Sequence, residues 1–304
     1  MVDGEDGGAR VTRRFALAAA VVALAAVGAQ AQSQASDSVR RAAECASCAE
    51  WNAPQRPFRL QGNTWYVGTH GLAALLLTSD SGHVLIDGAL PESAPQILAN
   101  IRALGFRVED VKLLVNSHVH FDHAGGLAAV QRASGARVMA SASSAAAMRR
   151  GMSGPDDPQY GVLLPYPAVE NVGIVRDGEA LRVGPIALTA HLTPGHTPGG
   201  TSWSWRSCDS TCLDFVYADS QTPVSADGFR YTSSATYPAA LADFARGQAV
   251  LEGLSCDVLV TPHPSASSLW ERVAAGTLVD RDACRKFAAA ARARVAERVA
   301  RESR

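Results

Sequence analysis

The stretch Asn116–Gly126, "NSHVHFDHAGG", gathers groups that can bind metal. Three of the chain's eight histidines fall within six residues here, beside an aspartate. In an extended segment, His118 and His120 point to one face because they are two residues apart. Asp122 and His123 follow, before a Gly-Gly pair that we expect to turn the backbone sharply. Neutral imidazole and carboxylate oxygen both suit zinc, so this spacing predicts a metal site.

Two other histidines stand in similar positions along the chain. His196 lies in "TPGHTPGG" and His263 in "VLVTPHPSAS", each after a predicted strand. If the strand ends are neighbours, five histidines and Asp122 converge at one sheet edge. Six ligands are enough for two sites of three, and such sites leave open positions for water, as catalytic zinc requires. The other three histidines are interpreted as surface or core residues (His70, His83 and His191).

Competing catalytic motifs are absent from the sequence. Neither lysine follows a serine at the S-x-x-K spacing, and no G-x-S-x-G elbow occurs. Without a Gly-Lys pair there is no Walker A motif. These absences leave metal chemistry as the best-supported interpretation.

Alternating strand and helix patterns must position these residues. Short β-branched or apolar runs predict strands, and Gly, Pro and Asp mark the turns between them. Strands and helices alternate in each half with β-hairpins beside them, which predicts two sheets with helices outside. The predicted strands are 64–69, 73–78, 83–87, 111–116, 136–141, 172–175, 180–183, 186–192, 202–206, 215–218 and 258–261, and the predicted helices are 91–104, a helix from Gly126 to about 133, 143–150, 239–254 and one from 280 onward.

The N-terminus has the layout of a secretory signal peptide over residues 1–31. Two arginines precede an apolar run from Phe15 to Val27, and Ala29-Gln30-Ala31 is a small-x-small cleavage pattern. A single membrane anchor is the alternative, but the run is shorter than the roughly 20 residues a span needs. We therefore predict a periplasmic protein with a polar arm over about 32–57 and a single domain over 32–304. The net charge of -1 and the lack of a basic stripe argue against nucleic acid, and no second segment suits a membrane.

Six cysteines agree with export, since an even number in a secreted chain favours disulfides. Proximity suggests Cys208–Cys212 across a hairpin, and Cys256–Cys284 then joins a strand to the last helix. Cys45–Cys48 remains as a local pair. The alternative for Cys45-x-x-Cys48 is a redox or zinc motif.

The H-x-H-x-D-H motif resembles the signature of the metallo-β-lactamase superfamily, and the resemblance extends over about 50–300. It implies an α+β fold, a four-layer αβ/βα sandwich of two mixed sheets with helices on the outer faces and metals at one edge. "YADSQT" places Ser220 where most hydrolases of the superfamily carry a bridging aspartate. At this serine, and in the segments "LTPGHTPGGTSWSW" and "DVLVTPHPSAS", the chain resembles subclass B3 metallo-β-lactamases.

The resemblance implies two Zn²⁺ ions and a role for each site residue. His118, His120 and His196 would hold the first zinc, and Asp122, His123 and His263 the second. Asp122 would also orient a zinc-bound hydroxide that attacks the β-lactam amide of penicillins, cephalosporins and carbapenems. Ser220, Thr222 and Gln159 would contact the substrate.

Two alternatives to a β-lactamase remain open. One is another dinuclear metallohydrolase of this fold acting on a thioester or a lactone, and the other is a non-catalytic zinc-binding protein. Nothing in the sequence requires an oligomer, so we predict a monomer. We also predict a small-molecule β-lactam substrate and no membrane contact once the signal peptide is removed.

Overall fold

The computed structural model describes residues 45–304. The predicted signal peptide and the first half of the predicted arm, residues 32–44, lie outside the described residues. From Ala49 onward the chain forms one compact unit, and residues 45–48 belong to the unit before it. The single domain over 32–304 therefore stays a prediction.

The first sheet has seven strands in the order β1-β2-β3-β4-β5-β6-β7. Strands β1 to β4 pair antiparallel, whereas β4 to β7 pair parallel. The two central strands β4 and β5 are almost fully buried, which explains their continuous apolar sequence. The strands are β1 Phe58–Gln61, β2 Thr64–Tyr66, β3 Leu75–Leu77, β4 His83–Ile86, β5 Val111–Val115, β6 Arg137–Ala140 and β7 Val172–Ile174.

The second sheet has five strands in the order β12-β11-β10-β9-β8. All of its pairs are antiparallel except β11 with β12, which run parallel. Both sheets are thus mixed. The strands are β8 Ala180–Val183, β9 Ile186–Leu192, β10 Thr201–Cys208, β11 Cys212–Tyr217 and β12 Val258–Val260.

Helices pack on the two sheets and at their ends. Most are short, and the longest contact one another beside the second sheet. The α-helices are α1 Cys48–Trp51, α2 Ala94–Ala103, α3 Phe121–Ala124, α4 Leu127–Ser134, α5 Ala142–Arg150, α6 Ala240–Gly253, α7 Leu269–Ala274 and α8 Ala283–Glu302, and 3₁₀ turns span Pro91–Ser93, Val108–Asp110 and Pro264–Ser267.

The main core lies between the two sheets. Leu75 and Ile86 of the first sheet share one buried cluster with Trp203 and Phe215 of the second. A separate cluster joins the outer face of the second sheet to α6 and α8, through Val216, Leu251 and Phe287 among others. Helices α4 and α5 contact strands of the first sheet. The predicted four-layer α+β sandwich is confirmed.

The sequence prediction missed β1 and the short helices α1, α3 and α7. β1 is a half-exposed edge strand, so FRLQ has no clear apolar alternation. Helix α7 has six residues, too short for a helical period to appear in the sequence. The predicted strands over 64–69 and 73–78 are longer than β2 and β3, because the chain between them turns through a loop.

All three predicted disulfides are present. The pairs are Cys45–Cys48, Cys208–Cys212 and Cys256–Cys284. Cys256–Cys284 joins the approach to β12 to helix α8. No helix among the described residues has the length and hydrophobicity that a membrane span requires.

Candidate metal centre

The six predicted ligands come from three segments that each follow a strand. After β5 ends, His118 and His120 lie in non-helical backbone. Asp122 and His123 then lie in the short helix α3. His196 is in the loop after β9, and His263 comes after β12. β9 and β11 both pair antiparallel with β10, and β12 pairs parallel with β11, so β9 and β12 end at the same edge of the second sheet. The N–H of Thr201, at the start of β10, donates to the carbonyl of Ser117 at 2.8 Å and joins the segment after β5 to this edge.

The Gly125-Gly126 pair allows its backbone to pack closely against the segment that follows β4. Both residues adopt right-handed helical angles, so the expectation of a sharp turn through special glycine conformations was wrong. A Cβ on Gly126 would lie 2.1 Å from the carbonyl oxygen of Gly88, and one on Gly125 would lie 2.4 Å from Cδ of Pro91. Only glycine allows the histidine segment to approach the end of β4 this closely.

The structure gathers the predicted ligands into two adjacent groups. One contains His118, His120 and His196, and the other contains Asp122, His123 and His263. Within each group, one candidate ligand atom per residue lies within 4.8 Å of the others. The rings of His118 and His123, one from each group, have centroids 4.4 Å apart.

Each histidine of the first group has one ring nitrogen held by an acceptor. Nδ1 of His118 lies 2.7 Å from Oδ1 of Asp219. Nε2 of His120 lies 3.0 Å from Oδ2 of Asp157. Nδ1 of His196 lies 2.7 Å from the backbone carbonyl oxygen of Thr222. We assign the N–H to these nitrogens, which leaves Nε2, Nδ1 and Nε2, respectively, as the free ligand atoms.

The second group is centred on the carboxylate of Asp122. Its Oδ2 lies 3.2 Å from Nε2 of His123 and 3.2 Å from Nε2 of His263. The contact with His123 lacks hydrogen-bond geometry, since Nε2 of His123 has no hydrogen-bond partner among the described residues. This arrangement is expected when the carboxylate of Asp122 and the ring of His123 both face one ion and do not hydrogen-bond each other.

Burial and neighbouring charges together favour the metal-binding protonation forms of His196, His118 and Asp122. Burial, reinforced by the neighbouring His120, lowers the pKa of His196 to about 3. Burial also lowers the pKa of His118 well below its usual range, with His123 adding to the effect. Burial acts to raise the pKa of Asp122, but the adjacent His123 and His263 hold it well below the usual value. Metals bind neutral imidazole and ionised carboxylate, so these shifts favour binding.

The residues present fit a metal ion. Nε2 of His118 and both ring nitrogens of His123 are buried without hydrogen-bond partners among the described residues. Each such atom costs about 1–3 kcal/mol in a dry interior. A coordinated cation would satisfy them, and a set of imidazoles with one carboxylate is the donor chemistry of zinc.

The predicted substrate residues lie beside the first group to different degrees. Nε2 of Gln159 is 3.5 Å from Nδ1 of His120. Thr222 reaches His196 through its carbonyl oxygen, a contact that the sequence did not suggest. Ser220 is half-buried and directly follows Asp219, and its carbonyl oxygen accepts a hydrogen bond from Gln221. Their contact with a substrate stays a prediction.

Sequence reasoning missed three buried carboxylates that support the site. Asp157 and Asp219 hold the rings of His120 and His118. Asp87 accepts hydrogen bonds from the backbone N–H and hydroxyl of Ser117 and from the hydroxyl of Tyr217. Asp157 stands in the Gly/Pro/Asp loop and Asp219 in "YADSQT", so a search for carboxylates beside the predicted substrate residues Gln159 and Ser220 could have found both.

An αβ/βα sandwich with two adjacent three-ligand groups at one sheet edge defines a class of metal-binding proteins. The sequence-family model of the Metallo-beta-lactamase superfamily matches residues 61–212. The chain belongs to the metallo-β-lactamase superfamily.

Solved structures of subclass B3 metallo-β-lactamases resemble this chain closely. The Rm3 metallo-beta-lactamase is 56% identical, with a TM-score of 0.84, and the match covers 86% of this chain and 99% of that one. MEM-A1, a subclass B3 metallo-beta-lactamase isolated from a soil metagenome library, is 48% identical, with a TM-score of 0.82 and coverage of 83% and 98%.

A curated relative with another name matches over a shorter region. The hydroxyacylglutathione hydrolase of Anaeromyxobacter dehalogenans (strain 2CP-C) is 32% identical over 131 residues. That alignment covers 43% of this chain and 41% of the relative, so the chain spans less than half of that relative's length. By contrast, the two structural matches cover 86% and 83% of this chain and 99% and 98% of the solved chains.

Proposed function

We propose that this protein is a periplasmic, monomeric β-lactamase that hydrolyses penicillins, cephalosporins and carbapenems with two bound Zn²⁺ ions and thereby confers antibiotic resistance. The observation that carries the proposal is the pair of adjacent three-ligand groups in a chain that matches subclass B3 enzymes over nearly their whole length. The predicted signal peptide supports the compartment.

The two groups would hold one zinc each. His118, His120 and His196 would bind the first and Asp122, His123 and His263 the second. Bound zinc lowers the pKa of coordinated water to about 7 and polarises a carbonyl oxygen. Three protein ligands on each ion leave positions for water and substrate.

The chain's own residues would orient the reactants. Asp219, Asp157 and the Thr222 carbonyl hold the three first-group rings in one tautomer, so their ligand atoms stay aimed at one point. Asp122 would accept a hydrogen bond from the attacking water.

Three further side chains would bind the substrate. The hydroxyls of Ser220 and Thr222 would donate hydrogen bonds to the carboxylate that β-lactams carry, directly or through water. The side chain of Gln159 would line the same pocket. Addition of water to the ring amide breaks its C–N bond and yields a carboxylate and an amine, without a covalent enzyme intermediate.

A metal-dependent thioesterase or lactonase is the second candidate, because part of the chain matches a hydroxyacylglutathione hydrolase. Ser220 separates the two proposals, since the resemblance places a bridging carboxylate there in most other hydrolases of the superfamily. A bridging carboxylate found in the metal site would favour the second candidate.

The test is to measure zinc content and hydrolysis on one purified preparation. We expect about two zinc ions per chain and turnover of a penicillin, a cephalosporin and a carbapenem far above turnover of an acylglutathione thioester or an acyl-homoserine lactone. Chelators should abolish turnover, whereas β-lactam inhibitors that acylate a serine should not. His118→Ala should be inactive, and His191→Ala, outside both groups, should resemble the parent. Full activity after exhaustive metal removal would refute the proposal.

A further inference from the structure

Two side chains of helix α8 hydrogen-bond to the loop that carries Thr222. Residues 218–239 contain no helix or strand, although Thr222 contacts the metal centre. A loop of this length has many conformations unless other elements restrict it. The part of this segment that α8 contacts, residues 222–232, is called the 222–232 loop below.

Arg298 contacts the 222–232 loop at four positions. One terminal guanidinium nitrogen donates to the carbonyl of Pro223 at 3.2 Å. The other donates to the Ser225 hydroxyl and to the carbonyl of Phe229, both at 2.8 Å. The guanidinium carbon also lies 5.1 Å from the ring centroid of Tyr231. A planar fork with several donors is suited to holding separate parts of one loop.

Glu302, one turn further along α8, binds the other end of the loop. Its two carboxylate oxygens accept the backbone N–H groups of Tyr231 at 3.0 Å and Thr232 at 2.8 Å. Nε of Arg298 donates to the same carboxylate at 2.6 Å. The side chains of Arg298 and Glu302 are only 20% and 6% exposed, so solvent weakens this pair far less than an ordinary surface ion pair. We call Arg298 and Glu302 the α8 clamp.

The loop passes this restraint to the metal centre at two points. The carbonyl of Thr222 accepts hydrogen bonds from Nδ1 of His196 and from the N–H of Val224. The N–H of Ala226 donates to the carbonyl of Pro158 at 2.8 Å. Pro158 directly follows Asp157, which holds the ring of His120.

We propose that Arg298 and Glu302 are positioning residues for the first metal group, through the 222–232 loop and the Thr222 carbonyl. This role deepens the proposed function and rests on it for its catalytic meaning. The hydrogen bonds of these two side chains go to the loop and to each other, not to the six predicted ligands. Loss of the clamp lets the Thr222 carbonyl move, so Nδ1 of His196 loses its fixed acceptor and the ligand atom Nε2 its fixed direction.

The test combines hydrogen exchange with zinc affinity in Arg298→Ala and Glu302→Gln. Zinc affinity is measured by competition with a colorimetric chelator. The informative amides are Val224 and Ala226, because neither is bonded to the clamp itself. We expect their exchange to rise roughly tenfold or more. We expect the affinity for one of the two zinc ions to fall about tenfold, as for other residues that support metal ligands.

Matched variants of the same helix separate this role from general loss of stability. Arg301→Ala removes an exposed arginine, and Arg292→Ala breaks a surface ion pair with Glu252. Both should leave exchange and zinc affinity at the parent values. Arg298→Lys, which keeps the charge without the planar fork, should lie between the parent and Arg298→Ala, and it replaces that variant if the alanine protein does not fold.

Two results would overturn the proposal. One is a folded Arg298→Ala protein with faster loop exchange and both zinc affinities unchanged. The other is the same loss of affinity in the Arg292 control. Because neither measurement uses a β-lactam, a clamp that tunes zinc affinity in a protein without β-lactamase activity would refute the proposed function and leave the clamp intact.

Discussion

Oδ1 of Asp219 lies 2.7 Å from Nδ1 of His118, and both side chains are buried. Burial raises the pKa of Asp219 well above its usual value. An imidazole N–H in this position satisfies the carboxylate, and the contact leaves Nε2 of His118 directed at the first metal group. This hydrogen bond thus fixes both the tautomer and the direction of a metal ligand.

Replacing Asp219 should weaken the first metal site. We expect Asp219→Ala to lower zinc affinity at that site by about 10- to 100-fold, because the ring of His118 loses its acceptor. Competition with a colorimetric chelator measures the change. Asp209→Asn, which alters an exposed carboxylate paired with Arg59, is the control and should bind zinc like the parent. Equal affinity in both variants would contradict this role of Asp219.

Metal removal should destabilise the folded chain as well as inactivate it. A ligand that binds only the folded state stabilises it by about 2.7 kcal/mol at a hundred times its Kd. We expect the zinc-free protein to melt at a lower temperature and to recover when zinc returns. Differential scanning calorimetry with and without chelator measures the shift. In His118→Ala the shift on adding zinc should be smaller, and an unchanged shift would argue against His118 as a ligand.

Trp51 should orient His263, the most exposed of the six predicted ligands. Its ring centroid lies 5.2 Å from that of His263, whose side chain is 27% exposed. Among the described residues, the ring of His263 has no hydrogen-bond partner outside the ligand groups. We expect Trp51→Ala to weaken the second zinc about tenfold, as other supporting residues do, and Trp51→Phe to preserve it. Zinc titration followed by mass spectrometry distinguishes these outcomes, and a tight second zinc in Trp51→Ala would exclude this role.

Ser220→Ala should impair substrate binding more than turnover. A hydrogen bond to a charged group contributes about 1.5–3 kcal/mol, so KM for a penicillin should rise about 10- to 100-fold with little change in kcat. Steady-state kinetics test this, with Ser233→Ala at an exposed position as the control. A fall in kcat at constant KM would place Ser220 in the chemical step instead.

The Cys256–Cys284 disulfide should contribute more stability than Cys208–Cys212. It closes a separation of 28 residues against 4. Chain entropy then gives about 3–4 kcal/mol for the longer loop and about 2 kcal/mol for the shorter. Urea unfolding of the two double Cys→Ser variants compares them. A larger loss in the Cys208 variant would show that loop entropy does not set the order.

The spacing of residues in the sequence predicted the six candidate ligands, and the resemblance to the family predicted their division into two groups. Four of them lie between His118 and His123, where local spacing determines which side chains can meet. The remaining two, His196 and His263, stand in Pro/Gly loops after strands, and parallel or neighbouring strands end at a common edge. The disulfides followed for a similar reason, because short separations left few sensible pairings.

Only the tertiary structure decided what holds those ligands in place. Asp219 lies 101 residues from His118, and Arg298 lies 75 residues from Pro223. Such contacts depend on how the second sheet and α8 pack, and no periodic pattern in the sequence encodes them. The same holds for the Thr222 carbonyl, since every residue has a backbone carbonyl and only the path of the loop aims this one at His196. The identity of the ligands could therefore be predicted from the sequence, whereas their orientation is a property of the fold.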